Sequence, residues 1–252
     1  MSGHSKWSTI KHKKAAKDAK RAKVWTRLIR EVTIAAREGG GSVESNSRLR
    51  LAVTSARAAN MPNDTVEKAI KRGTGELDGV TYEEINYEGY GPAGVAILVE
   101  TQTDNKNRTA AEVRHVFTKY NGKLGSTGCV SYLFTRKGFV VVGDEETELD
   151  LEKAMEVAIE SGAEDVEEAE GNVIVTTALE DLHAVATSLQ EAGLPVRSAE
   201  LVMEPTTEVR ITEEKDAAGV LRLVNMLDDL DDVSKVSANF DIDDELMARL
   251  DS

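Results

Sequence analysis

Lysine and arginine dominate the first thirty residues of this 252-residue chain. Ten of those thirty side chains are basic, and Asp18 is the single acidic one. Basic side chains at this density neutralise phosphates, and the counterions that a nucleic acid then releases favour binding. We therefore predict a nucleic-acid-binding segment made of Lys6, Lys11, Lys13, Lys14, Lys17, Lys20, Arg21, Lys23, Arg27 and Arg30.

Two alternative roles are compatible with the composition of this basic segment. A solvated lysine-rich helix would have the same composition, and so would an organellar presequence, although presequences favour arginine over lysine. Trp7 lies inside the segment and either stacks on a base, as part of the predicted binding site, or anchors the segment to a core. His4 and His12 have no cysteine or carboxylate pair near them in sequence, so we predict no metal site.

A second candidate site precedes a predicted helix, in the segment TDNKNRT (103–109). The N-terminus of a helix is the positive end of its dipole and can hold a phosphate or a carboxylate. The alternative is ordinary capping of the helix by Asn and Thr side chains. The predicted anion site consists of Asn105, Lys106, Asn107 and Arg108.

No group of side chains in the sequence predicts catalysis. Cys129 is the only cysteine, which excludes an intrachain disulfide, and it lies in an apolar segment typical of an inert buried thiol. The segment GYGPAG (89–94) matches a dinucleotide-binding pattern, but that pattern must open a helix and here leads into a predicted strand. We therefore expect no enzyme activity, no cofactor and no small-molecule substrate.

Charge is distributed unevenly along the chain. Residues 1–80 contain 17 Lys and Arg against 8 Asp and Glu, whereas the whole chain has a net charge of -14. Because the acidic remainder repels a polyanion, we expect nucleic acid to contact the N-terminal part. No stretch reaches the roughly 18 apolar residues that span a membrane, and no apolar secretory signal begins the chain, so we expect a cytoplasmic protein without membrane contact.

Apolar periodicity predicts helices throughout the first 79 residues. One apolar stripe begins at Trp25 and continues to Ala36, with spacings of three and four residues, and the helix ends at the glycines 39–41. Two shorter helices are predicted at about 47–59 and around 66–70. These patterns predict an N-terminal three-helix bundle.

Beyond residue 80 the pattern changes to short β-branched segments that alternate with helices. Strands are predicted at 94–100 and 129–134, on either side of a helix whose Thr109 and Glu112 fit a capping box. Residues 135–205 follow the order β-α-β-β-α-β, which is typical of a ferredoxin-like domain.

Residues 80–134 and 206–252 each resemble half of an α+β domain. Either half alone would have too few strands for stability. We therefore predict an acidic α+β domain, 135–205, inserted into a discontinuous domain of 80–134 plus 206–252, after a basic arm and helical domain of 1–79. Three sequential domains are the alternative.

Seven segments of the chain are similar to the YebC family, and the resemblance covers essentially the whole chain. They are SGHSKW, IKHKKAAKDAKRAK, AAREGGG, NSRLRLAV, ARAANMPNDTVEKAIKRGTGE, YEGYGPAGVAILVETQTDNKNRTAAEVRHVF and GKLGSTGCVSYLFTRKG. The sequence departs from the family pattern at Trp25, where phenylalanine is expected, and at Cys129, where serine or alanine is usual.

The resemblance implies a multidomain α+β protein. Its parts would be an N-terminal three-helix bundle and two related ferredoxin-like domains, one of them discontinuous. It also implies a cytoplasmic DNA-binding transcriptional regulator whose basic residues correspond to Lys6, Lys11, Lys13, Lys14, Lys17, Lys20, Arg21 and Lys23.

The resemblance also supports a second function. Some members of the family are similar to ribosome-associated translation factors that relieve stalling at consecutive prolines, and the family extends to a mitochondrial translational activator of cytochrome oxidase subunit I. The expected partner is therefore DNA, or ribosomal RNA and the ribosome. The sequence shows no clear helix-turn-helix and phosphate contacts do not read base sequence, which mildly favours binding to the nucleic-acid backbone.

Overall fold

The computed structural model of the chain describes residues 17–143, 149–169 and 171–250. For residues 17–20 and 244 only the backbone is described. Within these residues the chain forms two compact units. One consists of Asp18–Gly79 and Arg136–Met203, and the other of Val80–Thr135 and the segment that starts at Glu204.

Most of the helices and strands follow the order that the periodicity predicts. The helices are α1 Lys17–Gly39, α2 Ser47–Ala58, α3 Asn63–Thr74, α4 Lys106–Lys119, α5 Leu151–Glu160, α6 Leu182–Glu191, α7 Glu214–Asp228 and α8 Asp244–Leu250. The strands are β1 Glu83–Tyr90, β2 Ala96–Thr103, β3 Lys123–Leu124, β4 Phe134–Val142, β5 Asp165–Ala169, β6 Asn172–Thr177, β7 Val196–Pro205, β8 Val209–Ile211, β9 Val233–Ala238 and β10 Phe240–Ile242. The predicted mixed α+β fold with a three-helix N-terminal region is confirmed.

The three N-terminal helices enclose a small apolar core. Val32, Leu49 and Val53 are almost fully buried in it. Asn46 caps α2 by accepting a hydrogen bond from Leu49 N (3.0 Å), and its amide donates to Ala35 O (2.7 Å) at the end of α1. This one side chain therefore caps α2 and ties it to α1.

In the same unit, residues 136–203 form most of a four-stranded sheet with two helices. The strand order is β5-β6-β4-β7, and β6 runs antiparallel to both β4 and β5. This is the order expected of a β-α-β-β-α-β domain of the ferredoxin type. Leu51 of α2 packs against the apolar core of this β-α-β-β-α-β domain, so α2 contacts the domain.

The other unit contains a sheet of order β3-β1-β2-β9 and a parallel pair, β8 and β10. Strand β9 pairs antiparallel with β2, although the two are more than 120 residues apart in sequence. Asn239 strengthens this junction, because its Oδ1 accepts from Ala96 N (2.7 Å) and its Nδ2 donates to Thr207 O (3.1 Å). The three-domain division stays a prediction, since the two units group the helices with residues 136–203.

Two local predictions are wrong, and two elements were not predicted. The strand predicted at 129–134 is a 3-10 turn, Ser131–Leu133, followed by β4, because a buried carboxylate binds the backbone N–H groups that a sheet would need. Helix α4 is capped by Asn105 and not by the predicted capping box. Strand β1 and helix α8 were not predicted, since their sequences, EEINYEGY and DELMARL, are rich in acidic residues and lack a clear apolar period.

No helix in the described part of the chain is long and apolar enough to cross a membrane.

Candidate nucleic-acid interface

The described part of the predicted basic segment lies on α1. Lys23, Arg27 and Arg30 recur at spacings of four and three residues, so they share one face of the helix, opposite the apolar stripe that contains Trp25 and Val32. All three basic side chains are half-buried and engage other groups of the protein. The described basic side chains therefore form one row along α1, and their contact with nucleic acid stays a prediction.

The rest of the predicted segment is described in part or not at all. Lys17 and Lys20 lie in the first turns of α1, where only the backbone is described. Lys6, Trp7, Lys11, Lys13 and Lys14 lie outside the described residues. Their assignment to a nucleic-acid interface stays a prediction.

Trp25 shows how the start of the basic helix is held. Its indole Nε1 donates to Ala59 O (3.0 Å), just after the end of α2, and the Arg21 guanidinium lies 4.9 Å from the centre of its ring. A phenylalanine at this position could not make the hydrogen bond. Arg21 thereby receives a cation–π contact that orients an exposed positive charge.

The segment 103–109 places Asn105 and Arg108 in one network. Asn105 Oδ1 accepts from Arg108 N (3.2 Å) and so caps α4. The Arg108 guanidinium donates to Asp104 Oδ1 (2.8 Å) and to Asp232 Oδ2 (2.6 Å). Lys106 and Asn107 are exposed beside this network. The observed contacts are those of capping and ion pairing, and the predicted anion site stays a prediction.

The carboxylate of Asp232, a residue of the same chain, accepts hydrogen bonds from side chains at the start of α4. Its side chain is almost fully buried, and the same Oδ2 accepts from Thr103 Oγ1 (3.0 Å) and Thr109 Oγ1 (2.8 Å). Burial alone would raise the pKa of Asp232, but the hydrogen bonds from Arg108, Thr109 and Thr103 outweigh burial and lower it. The same contacts raise the pKa of Arg108, so both groups stay charged. Asp232 lies 124 residues beyond Arg108, and no local signal could have found it.

A second buried carboxylate, Glu88 on β1, was also missed from the sequence. Its Oε1 accepts from Gly128 N (2.7 Å), and its Oε2 accepts from Val130 N (2.7 Å) and Ser131 N (2.8 Å). Burial would raise the pKa of Glu88, but these three backbone donors together lower it. We call this arrangement the Glu88 clamp, because it fixes the path of the loop 125–131.

Two exposed tyrosines lie beside the loop that the Glu88 clamp holds, Tyr90 at the end of β1 and Tyr132 in the 3-10 turn after the loop. Tyr132 is 70% exposed and Tyr90 is 37% exposed. The Tyr90 hydroxyl donates to Cys129 O (2.9 Å). Cys129 itself is half-buried in this loop and not inside a strand as predicted; burial and the charge of Glu88 raise the pKa of its thiol. The thiol is therefore a poor nucleophile.

Comparisons with known proteins cover nearly all of the chain. A model described as the TACO1/YebC protein N-terminal domain matches residues 5–76, and one described as the TACO1/YebC second and third domain matches residues 82–240. A protein of Acidithiobacillus ferrooxidans named a probable transcriptional regulatory protein is 55% identical over 252 residues, 100% of this chain and 99% of its own length. A relative of the same name from Thermotoga maritima is 51% identical and covers 100% of both chains.

A solved structure supports the same relationship. The crystal structure of a conserved hypothetical protein from Aquifex aeolicus superposes with a TM-score of 0.87 at 49% sequence identity. The match covers 94% of this chain and 97% of that one.

Proposed function

The chain belongs to the TACO1/YebC family, as its sequence had indicated, and on this premise we propose that it is a nucleic-acid-binding protein that regulates transcription by binding DNA. The observation that carries this proposal is the concentration of ten basic side chains in the first thirty residues of an acidic protein. Relatives that match over their full length are named probable transcriptional regulatory proteins. A binding protein of the cytoplasm, without catalysis or cofactor, fits these names.

Electrostatics supports binding through the N-terminal part. Residues 21–79 contain eleven Lys and Arg against seven Asp and Glu. Residues 1–20 contain six lysines and one acidic residue, Asp18. Residues 135–205 contain four basic side chains against eighteen acidic ones and would repel the same polyanion. Nucleic acid would therefore follow the basic segment and avoid the acidic domain.

A ribosome-associated role in translation is the second candidate, and the chemistry of the same contacts favours it. Lysine contacts to phosphates position a protein on the nucleic-acid backbone without reading base sequence. A backbone-binding protein selects its target by shape, and folded ribosomal RNA provides such shapes.

The proposal is tested by neutralising the lysines that precede α1. In the full-length protein, Lys6, Lys11, Lys13 and Lys14 are changed together to glutamine, which leaves the described helix intact. The matched control changes four lysines elsewhere, Lys137, Lys153, Lys215 and Lys235, so the net charge of both variants is equal. We expect the first variant to bind duplex DNA at least about tenfold more weakly, and the control to bind as the wild type does.

Salt dependence and the choice of target complete the test. If about five to eight phosphates are neutralised, a plot of log affinity against log salt concentration should have a slope of roughly -4 to -7. A slope near zero, or equal binding by both variants, would contradict the proposal. Promoter DNA binding and co-sedimentation with ribosomes, compared at one salt concentration, distinguish the two candidate functions.

A further inference from the structure

We infer that Tyr132 and Tyr90 form a stacking platform for an unpaired base of single-stranded nucleic acid, beside Lys123, which contacts its phosphate. This inference rests on the proposed nucleic-acid binding and adds to it a contact with bases, in a part of the chain whose overall charge is acidic. The surface made by these three side chains is called the tyrosine platform below.

Both rings of the tyrosine platform are exposed to solvent. Tyr132 is more exposed, at 70%, than any other large apolar side chain in the part of the chain that the structure describes. Tyr90 lies close to it, because the Tyr90 hydroxyl donates to Cys129 O (2.9 Å), three residues before Tyr132 in the chain. A folded chain ordinarily covers such rings, and base stacking on exposed aromatic rings binds single strands without regard to sequence.

The platform is also rigid before any ligand arrives. The Glu88 clamp binds three backbone N–H groups of the loop, including that of Ser131 next to Tyr132. At the other side of Tyr132, Leu133 O accepts from Thr206 N (2.8 Å) and from Thr206 Oγ1 (3.1 Å). The backbone that carries Tyr132 is therefore ordered on folding, and binding does not have to order it again.

The local charge favours nucleic acid over a protein partner. Residues 105–135 contain five basic side chains and one acidic side chain, Glu112, within a region, 81–252, that is otherwise strongly acidic. One of the five, Arg108, is paired with Asp104 and Asp232, which leaves four at other positions. Lys123 lies directly opposite Tyr90 in the antiparallel pair of β3 and β1, so the two side chains share one face of the sheet. The exposed ammonium group can contact a phosphate while the exposed rings stack on the base of the same strand.

The geometry selects unpaired bases. In a duplex the faces of the bases are stacked on one another, so a ring on the protein surface cannot reach them without extruding a nucleotide. A single strand offers its base faces freely. Duplex DNA would therefore bind through the basic N-terminal segment and would not respond to a change at Tyr132.

The experiment compares Tyr132→Ala with Tyr132→Phe in the full-length protein. Phenylalanine retains the ring and alanine removes it, while Tyr82→Ala, on a half-buried tyrosine before β1, is the matched control. Affinity is measured by fluorescence anisotropy with a labelled 12-nucleotide oligo(dT), its oligo(U) counterpart, and a 12-base-pair duplex.

We expect Tyr132→Ala to bind both single strands about 5-fold to 100-fold more weakly, the loss that corresponds to one stacked base, and to change duplex binding less than about twofold. Tyr132→Phe and Tyr82→Ala should bind as the wild type does, and all four proteins should have the same melting temperature.

Other outcomes overturn the inference in ways that identify the error. Unchanged single-strand binding by Tyr132→Ala excludes the platform while leaving the proposed function intact, and points to a protein partner for the rings. An equal loss on the duplex shows that Tyr132 acts on something other than unpaired bases. A wild-type protein that binds none of the three probes contradicts both the platform and the proposed function.

Discussion

Replacing Glu88 should destabilise the protein and change how its stability depends on pH. The carboxylate is 3% exposed and accepts three backbone N–H groups at 2.7–2.8 Å. In Glu88→Gln one oxygen becomes an NH2 group that cannot accept, so at least one buried N–H loses its partner and the others lose a charged acceptor. With about 1–3 kcal/mol for a buried donor left unsatisfied, we expect a loss of about 2–4 kcal/mol in the free energy of unfolding at pH 7.

The pH dependence follows from the lowered pKa of Glu88 in the folded protein. A carboxylate whose pKa is lower in the folded than in the unfolded state binds fewer protons when folded. Its contribution to stability is present above the unfolded pKa of about 4.3 and is lost as the pH falls through the folded pKa. The difference in stability between the wild type and Glu88→Gln should therefore shrink as the pH falls below about 4.3.

Urea denaturation at a series of pH values from 7 to 3 measures both effects. Glu83→Gln, which removes an exposed carboxylate from the same strand, is the control and should change stability by less than about 0.5 kcal/mol. If Glu88→Gln is as stable as this control at pH 7, the hydrogen bonds to Glu88 do not stabilise the fold as we argue. A difference that stays constant down to pH 3 would refute the role of ionisation.

Two further changes test the packing within each unit. Asp232→Asn leaves the hydrogen bonds from Thr103, Thr109 and Arg108 without a charged acceptor, and should lower the free energy of unfolding at pH 7 by about 2 kcal/mol. Thermal and urea denaturation measure it, and an unchanged protein would contradict the role of the network. In Gly73→Ala the new Cβ would overlap the carbonyl oxygen of Thr33 and lie 2.7 Å from the Cβ of Ala36. Overpacking should cost about 1–3 kcal/mol, whereas a rise in melting temperature, as helix propensity alone predicts, would show that α1 and α3 can move apart.

Repeating patterns along the chain sufficed to predict most of the elements. The predicted and observed bounds agree within a few residues for α2 and β2, because each of these elements shows its apolar residues within its own sequence. The basic segment was equally visible, since charge density is a property of composition and needs no folded partner. Family membership, too, was apparent from the sequence and is confirmed.

Only the tertiary structure decided which polar groups meet. Asp232 joins Arg108 across 124 residues, and Glu88 joins the N–H groups of a loop 40 residues later in the chain. A carboxylate that accepts from backbone N–H groups leaves no pattern in the side chains of its partners, because every residue except proline carries the same donor. For the same reason the segment 129–134 resembled a strand in sequence. No local pattern indicates that Tyr90 and Tyr132, 42 positions apart, are both exposed beside the same loop. Composition and period determined the helices, most strands and the basic segment, whereas the clamp, the ion pair and the tyrosine platform exist only because folding brings distant segments of the chain together.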